Sequence, residues 1–282
     1  MRILITGETG YIAKHFAAYL KKRGIEYTML SLRGDNWRSF SLKGYDAVLH
    51  TAGIVHKKES GHNQYDYYII NRDLSEELAV KAKKDSVKQF VFISSMSVYG
   101  INTGVIKPDT KPVPKTHYGR SKLAAESLLS PLASESFNVA ILRPPMVYGP
   151  NCPGNFGSLC SLLKRTPIFP SCANLRDMVF VGNLCEHIYH IISNNKSGLF
   201  FPRDIEPLST KDIAAAVAEA QGKTILFTNI FNPLINIAVK LSSNMAKVFG
   251  SLYYCPSIPN SGGSGLVDSK AAIAVSVNAE NA

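Results

Sequence analysis

"RILITGETGYIAKHFAAYLKKRG", residues 2 to 24, decides the fold. An apolar run ends at Gly7, a second glycine follows at Gly10, and Ala13 stands three residues further on. From Tyr11 the hydrophobic period lengthens. Ile12, Phe16, Ala17 and Leu20 share one helical face, and Gly24 stops the run. A strand that turns through glycines into a helix lets the backbone approach a pyrophosphate, which then lies at the positive end of the helix. Gly-x-x-Gly alone is a weak signal. Its place between a strand and a helix is the context that a dinucleotide site requires. A tight turn without a ligand carries the same local sequence, so both readings stay open.

Outward from this stretch, "YTMLSL" (27–32), "YDAVLHTAG" (45–53) and "FVFISS" (90–95) read as further strands, and "NRDLSEELAVKAKK" (71–84) as a helix. Strands alternating with helices predict an α/β, Rossmann-type, doubly wound parallel sheet. The segment from Arg33 to Asp46 is too short for a full helix-plus-strand unit, so the sheet is trimmed there. After Arg143 the grain changes. "LRPPMVYGPNCPGN" (142–155) reads as a long loop, and "DMVFVGNLCEHIYHII" (177–192) as strand then helix. "TKDIAAAVAEAQGK" (210–223) reads as a helix capped by Thr210 and stopped by Gly222. From Phe231 to Leu252 an apolar stripe recurs at helical spacing through Leu234, Ile235, Ala238, Met245, Val248 and Phe249. A helix packed on its own core is favoured over one lying on a membrane surface. The Gly/Ser/Ala/Asn-rich tail, 260–282, shows no clear element. The expected division is a nucleotide-binding domain over 1–150, to which some later segments return, and a smaller C-terminal α/β substrate-binding domain over 151–282, poorly defined from about residue 256.

The 282 residues are 45% hydrophobic and 18% charged, which suits a globular chain with a core. No apolar run reaches the roughly 18 residues of a membrane span, so no stable membrane insertion is expected. The N-terminus is not built as a signal peptide. Five scattered cysteines without Cys-x-x-Cys spacing fit a reducing cytoplasm. His187 and His190 lack the acid or thiol companions of a ligand set, so no metal is expected. The formal charge of +10 is compatible with nucleic acid, an anionic surface or an anionic small molecule. The cations are spread along the chain with no aromatic-interleaved tract. A solvated basic surface that attracts phosphate-bearing substrates is therefore expected, with no nucleic-acid partner.

Three further stretches carry chemistry. Ser94 and Ser95 end an apolar strand where open α/β sheets bind ligands. Either can hydrogen-bond a reacting oxygen or simply cap a turn. In "HYGRSK" (117–122), Tyr118 and Lys122 are one helical turn apart and share a face. An ammonium there, with a cationic nicotinamide, would draw the phenol from its usual pKa of about 10 toward neutrality. After the second strand, "LSLRGD" puts Arg33 close to the place of the acid that grips adenosine ribose. Arg33 would admit the 2′-phosphate of NADP. Alternatively it faces solvent and Asp35 supplies the acid.

Together "TGETGYIA", "YDAVLHTAG", Asn71 in "IINRDL", "SSMSVYG", "YGRSK", "LRPPMVYGP" and "RDMVFVGNL" resemble the extended short-chain dehydrogenase/reductases, specifically the NAD-dependent epimerase/dehydratase family acting on nucleotide sugars, of the UDP-glucose 4-epimerase kind. The motifs stand in family order over roughly residues 1 to 220. The resemblance implies that Ser95, Tyr118 and Lys122 are catalytic. It implies that NAD or NADP is held by Gly7, Gly10, Tyr11, Ile12, Arg33, Ala52, Gly53, Asn71, Ser94, Tyr118, Lys122 and Pro144. Ser95, Met146 and Arg176 would meet a nucleotide-sugar substrate, Arg176 at its diphosphate. A homodimer is compatible with the family. Departures are the missing acid after strand two, Met146 where asparagine is common, Gly182–Asn183 in place of Asp-Asp, and no Leu-Gly-Trp-x-Pro after "LVDSK".

The leading expectation is an NAD(P)-dependent epimerase that moves a hydride transiently at C4 of a UDP-hexose, in synthesis of cell-surface polysaccharide precursors. An NADP-dependent 4-ketoreductase is the alternative, and a non-catalytic NAD(P)-binding regulator a further one. The full Ser95, Tyr118 and Lys122 set argues against the regulator, because a pure binder has no use for all three.

Overall fold

A computed structural model describes residues 1–55, 64–153, 155–260 and 265–280. In chain order its elements are β1 (Arg2–Thr6), α1 (Tyr11–Lys22), β2 (Glu26–Leu30), α2 (Asn36–Ser39), β3 (Ala47–His50), α3 (Gln64–Tyr68), a π-helical turn (Ile69–Asp73), α4 (Leu74–Lys84) and β4 (Gln89–Ile93). A 3₁₀ turn (Met96–Tyr99) leads to β5 (Gly104–Ile106), α5 (His117–Leu129), β6 (Asn138–Leu142), β7 (Met146–Tyr148), α6 (Asn155–Leu163), β8 (Ile168–Pro170), β9 (Met178–Phe180) and α7 (Val181–Ser193). The chain closes with β10 (Gly198–Phe200), α8 (Thr210–Ala220), β11 (Leu226–Thr228), α9 (Asn232–Leu241), α10 (Ser243–Phe249), β12 (Leu252–Tyr254) and α11 (Ser269–Glu280).

Six strands form an all-parallel sheet in the order β10-β6-β4-β3-β1-β2. Ile3, Leu4 and Ile5 of β1 are all fully buried, because a parallel strand covered on both faces reads as a continuous apolar run. On one face α1 and α7 pack Phe16, Leu20, Leu184 and Ile188 against Ile3 and Ile5. On the other, α4 and α5 set Leu78, Ala82, Ala125 and Leu129 against Leu4, Val48, Phe90 and Phe92. The chain runs from β1 to one neighbour, β2, and returns to the other, β3. This switch opens a crevice at the C-terminal ends of β1 and β3, the usual ligand site of such sheets. Among the described residues no strand lies beyond β2; the 33–46 segment contains only the single turn of α2, as the sequence indicates.

A second, smaller lobe holds two-stranded pairs β8–β11, β7–β9 and β5–β12, with α6, α8, α9, α10 and α11. Its core joins Phe156, Cys160, Phe169, Ile213, Val217, Ile273 and Val277. The division at residue 150 is not clean. β5 reaches from the first half to pair with β12, while α7 and β10 return to the large sheet.

Four local expectations are corrected. The "long loop" at 142–155 contains β7, whose residues Met146–Tyr148 ladder with Met178–Phe180 despite the flanking prolines. The cap of α8 is Ser209, not Thr210. Ser209 Oγ accepts from Asp212 N at 2.9 Å, and the Asp212 carboxylate accepts from Ser209 N at 3.2 Å. Thr210 Oγ1 instead donates to Val248 O at 2.6 Å. The tail is a helix, α11, because Ala272, Ile273 and Val277 lie at helical spacing and find the core of α8. The apolar stripe from Phe231 is not one core-facing helix. It breaks at Ser242, whose extended backbone caps α10, and only part of it turns inward: Ile235 and Leu252 are buried, whereas Leu234 is 68% exposed. Periodicity reports a face, not whether anything covers it.

Ile273 is 1% exposed in the lobe core. We expect Ile273→Ala to cost about 2–5 kcal/mol through lost burial and the cavity left behind, read as a lowered urea midpoint with an unchanged slope.

Candidate functional site

The turn after β1 meets the turn after β3. Gly7 has φ of +81°, and a Cβ on it would lie 2.9 Å from the Ala52 backbone. Gly10 N donates to Gly7 O at 2.7 Å, and a Cβ on Gly10 would sit 2.9 Å from that oxygen. Gly10 is also the N-cap of α1. It offers no side-chain cap, and no acid stands in the first turn. The first amides of α1 thus point into the crevice as an anion site. The glycine cradle and uncapped helix fit the diphosphate of a nicotinamide dinucleotide. Tyr11 and Ile12 begin α1, and both are half-buried; the Tyr11 ring meets His15 edge-on at 4.5 Å.

Asn71 lies in the π-helical turn and is fully buried. Its Oδ1 accepts from Ile54 N at 2.8 Å, and its Nδ2 donates to Ile54 O at 3.1 Å and to Ser121 Oγ at 3.1 Å. It therefore clips the loop after β3 to α5. Gly53 fits between: a Cβ there would be 2.8 Å from Asn71 Oδ1 and 3.4 Å from Lys122 Nζ. Single π turns of this kind concentrate at functional sites.

Ser95, two residues past β4, caps the 3₁₀ turn, accepting from Ser97 N at 3.1 Å. Tyr118 enters α5 beside it. Thr116 caps α5 by accepting from Gly119 N at 3.0 Å. Gly119 then permits the close approach, since a Cβ there would be 2.7 Å from Ser97 O. The residue is half-buried, but burial of its hydroxyl pushes the Tyr118 pKa up to about 12, with a Ser95 hydrogen bond acting in the opposite direction. The expected fall toward neutrality is thus not found in this state. Lys122, 3% exposed, donates to Ile93 O at 2.9 Å and lies 4.5 Å from the Phe92 ring centre. Burial pushes its pKa down to about 7, with Glu126 pulling the other way. His50, behind it, is held to about 3 by burial, with the Lys122 charge adding to the shift.

Ser94 turns away from the crevice. Its hydroxyl donates to Glu126 Oε1, and Glu126 is paired with Arg143 at 2.5 Å. Arg143 also donates to Tyr99 Oη at 2.9 Å. Burial opposes the Arg143 charge, but Glu126 outweighs it and holds the pKa above its usual value. Pro144 follows, buried, with its carbonyl accepting from Met96 N at 2.9 Å. Met146, half-buried in β7, packs with the second-lobe core.

Arg33 is exposed three residues past β2, and among the described residues only its backbone amide is engaged, at 3.5 Å from Ser31 Oγ. Asp35, the alternative ribose acid, is held by Arg38, which also takes Glu77 at 2.5 and 2.7 Å. Arg176 Nη1 donates to Ala246 O at 3.1 Å and Gly250 O at 2.8 Å, closing the end of α10. Burial lowers its pKa, and no carboxylate among the described residues pairs with it. The neighbouring Asp177 instead accepts from Tyr254 N at 2.7 Å and faces Arg203 at 3.9 Å. Glu126, Gly119 and Thr116 were not singled out from sequence. Glu126 was findable as the next i+4 step of the Tyr118–Lys122 face.

A family model described as the NAD dependent epimerase/dehydratase family matches residues 3–200. A UDP-glucose 4-epimerase from Vibrio cholerae is 29% identical over 249 residues, 78% of this chain and 76% of its own. The Escherichia coli O157:H7 N-acetyl-α-D-glucosaminyl-diphospho-ditrans,octacis-undecaprenol 4-epimerase is 26% identical over 228 residues, 77% of this chain and 67% of its own. The solved structure of RMD from Pseudomonas aeruginosa complexed with NADPH superposes with a TM-score of 0.77 at 17% identity, covering all of both chains.

Lys122 contributes to the pH dependence of stability above neutrality. Its folded pKa, about 7, lies below its unfolded value of about 10.4. Between these values the unfolded chain binds more protons, so this group makes stability rise with pH from about 7 toward 10 and adds no slope below 7. Lys122→Met is expected to flatten that rise, measured as the wild-type-minus-variant difference in urea midpoint at pH 7 and pH 9.5.

Proposed function

The chain belongs to the NAD dependent epimerase/dehydratase family, and on that footing we propose that it inverts C4 of a UDP-hexose by transient oxidation. The carrying observation is the meeting of the Tyr118 hydroxyl with Ser95, above buried Lys122 and beside the glycine turn. When bound, the nicotinamide would supply the hydride acceptor and donor, the 4-keto sugar turning between the two transfers so that hydride returns to its other face. Tyr118 takes the proton of the C4 hydroxyl and gives it back to the same oxygen. Ser95 holds that oxygen. Lys122, when protonated, supplies a positive charge that favours phenolate. Arg176, a half-buried cation with only carbonyl partners among the described residues, suits the substrate diphosphate. Gly7, Gly10, Tyr11, Ile12, Ala52 and Gly53 would face the cofactor, with Asn71 and Pro144 fixing the loops around it. The five thiols form no disulfide, in keeping with a cytoplasmic setting.

A test is to incubate purified protein with NAD and UDP-glucose in D₂O. The epimerase reading expects the C4 epimer with no deuterium at C4 and no net absorbance at 340 nm. Tyr118→Phe should lower kcat by about 100- to 10,000-fold while cofactor affinity, by titration calorimetry, moves only a few-fold. Near-full activity in that variant would remove the tyrosine from the mechanism.

The second reading, an NADP-dependent 4-ketoreductase, is favoured by one observation: exposed Arg33 stands where an acid is usual, and Asp35 is occupied by Arg38. A hydrogen bond to a charged group is worth about 1.5–3 kcal/mol, and about 1.4 kcal/mol is tenfold. Arg33→Ala is therefore expected to weaken NADP(H) binding by about tenfold or more and leave NAD(H) nearly unchanged. A wild type that prefers NAD, with neither affinity altered in the variant, would leave the epimerase alone.

A further inference from the structure

The outer face of α9 is apolar. Ile235 turns inward at 7% exposure, and Asn232 Nδ2 ties the start of the helix to Ser171 O at 2.9 Å. On the opposite side Leu234, Ile237 and Leu241 are 68%, 57% and 83% exposed. Their spacing of three and four places them on one face. A peripheral helix normally presents charge there; this one presents three branched aliphatics. Ile230, 80% exposed, and the exposed Phe231 and Leu226 extend the apolar surface just before the helix. A contiguous patch of this kind marks an interaction surface.

Its occupant is indicated by charge. Between Glu219 and Asp268 the sequence has no acidic residue and three lysines, Lys223, Lys240 and Lys247, all exposed. Lys240 adjoins Leu241 at the border of the apolar strip. A second copy packed isologously on this face would bring like charges together without a local acid to pair them. An anionic bilayer surface offers both an apolar layer for the leucines and phosphates for the lysines. The ten residues of α9 extend about 15 Å, half of the roughly 30 Å hydrocarbon thickness, so the helix would lie in the interface plane.

We propose that α9 is a membrane-surface dock, seating Ile230, Leu234, Ile237 and Leu241 in an anionic leaflet and holding the second lobe against it. The docking is peripheral and reversible, independent of which sugar the crevice takes. The test uses the full chain and vesicles of phosphatidylcholine with phosphatidylglycerol at roughly 7:3, against phosphatidylcholine alone. The wild type should float with the anionic vesicles, and high salt should weaken that binding. Leu234→Ser/Ile237→Ser/Leu241→Ser should lower the partition coefficient at least tenfold, with the far-ultraviolet circular dichroism spectrum and turnover of soluble substrate unchanged. Lys240→Glu/Lys247→Glu should lower it for anionic vesicles specifically. The proposal is overturned if the wild type stays with the buffer fraction, or if the triple variant floats equally well. It is also overturned if sedimentation velocity shows a wild-type dimer that the triple variant splits while flotation is absent in both; the face is then a self-interface.

Discussion

The buried pair of Glu126 and Arg143 holds the working parts in one place. The two side chains are 5% and 7% exposed and share two hydrogen-bonding directions, with Arg143 Nε also reaching Glu126 at 3.0 Å. Glu126 is on α5, the helix of Tyr118 and Lys122. Arg143 follows β6 and reaches Tyr99 in the turn that Ser95 begins, while Ser94, just past β4, closes on Glu126. Three neighbouring elements are therefore tied at the level of the crevice floor. Removing one partner of such a pair leaves a buried charge uncompensated, a loss of about 3–5 kcal/mol. The consequence for chemistry is positional, since an error of about 1 Å in a reacting group is enough to cost a large part of the rate.

Close backbone approach supplies the rest of the geometry. Gly119 lets α5 rest on the Ser97 carbonyl, which brings Tyr118 onto Ser95. Gly53 passes between Asn71 and Lys122 with no room for a side chain. Asn71 can clip that loop only because the π turn offsets it from the regular ladder of α4. Each contact is short-range and specific, so these positions act as spacers as much as ligands.

Period and punctuation made the large sheet legible. β1 with Gly7, Gly10 and the Phe16–Ala17–Leu20 face was readable because a doubly covered parallel strand and an amphipathic helix leave different patterns, though the buried residue at the start of that face is Ala13, with Ile12 half-buried. Tyr118 and Lys122 were readable as one turn of one face. The inward turn of Ser94 was not, because adjacent strand residues point to opposite sides and sequence does not say which is the crevice. Arg176 was found but its carbonyl partners were not, since α10 is 70 residues away in sequence. The tail failed for a related reason: alanines and a valine make a weak helical pattern that becomes a helix when α8 covers it.

Burial sets the electrostatics of the crevice in one direction. It holds the Tyr118 phenol near 12 and the Lys122 ammonium near 7, so both groups are biased toward their neutral forms. His50 beneath them is neutral for the same reason. A charge placed in such a volume acts through a low dielectric and moves its neighbours much further than it would in water. The phenol that is harder to ionise by itself is therefore also the more responsive one. An exposed tyrosine near 10 starts closer to neutrality, but water would screen the cation meant to activate it. Desolvating Tyr118 and Lys122 together makes the charge state of each conditional on what binds above them.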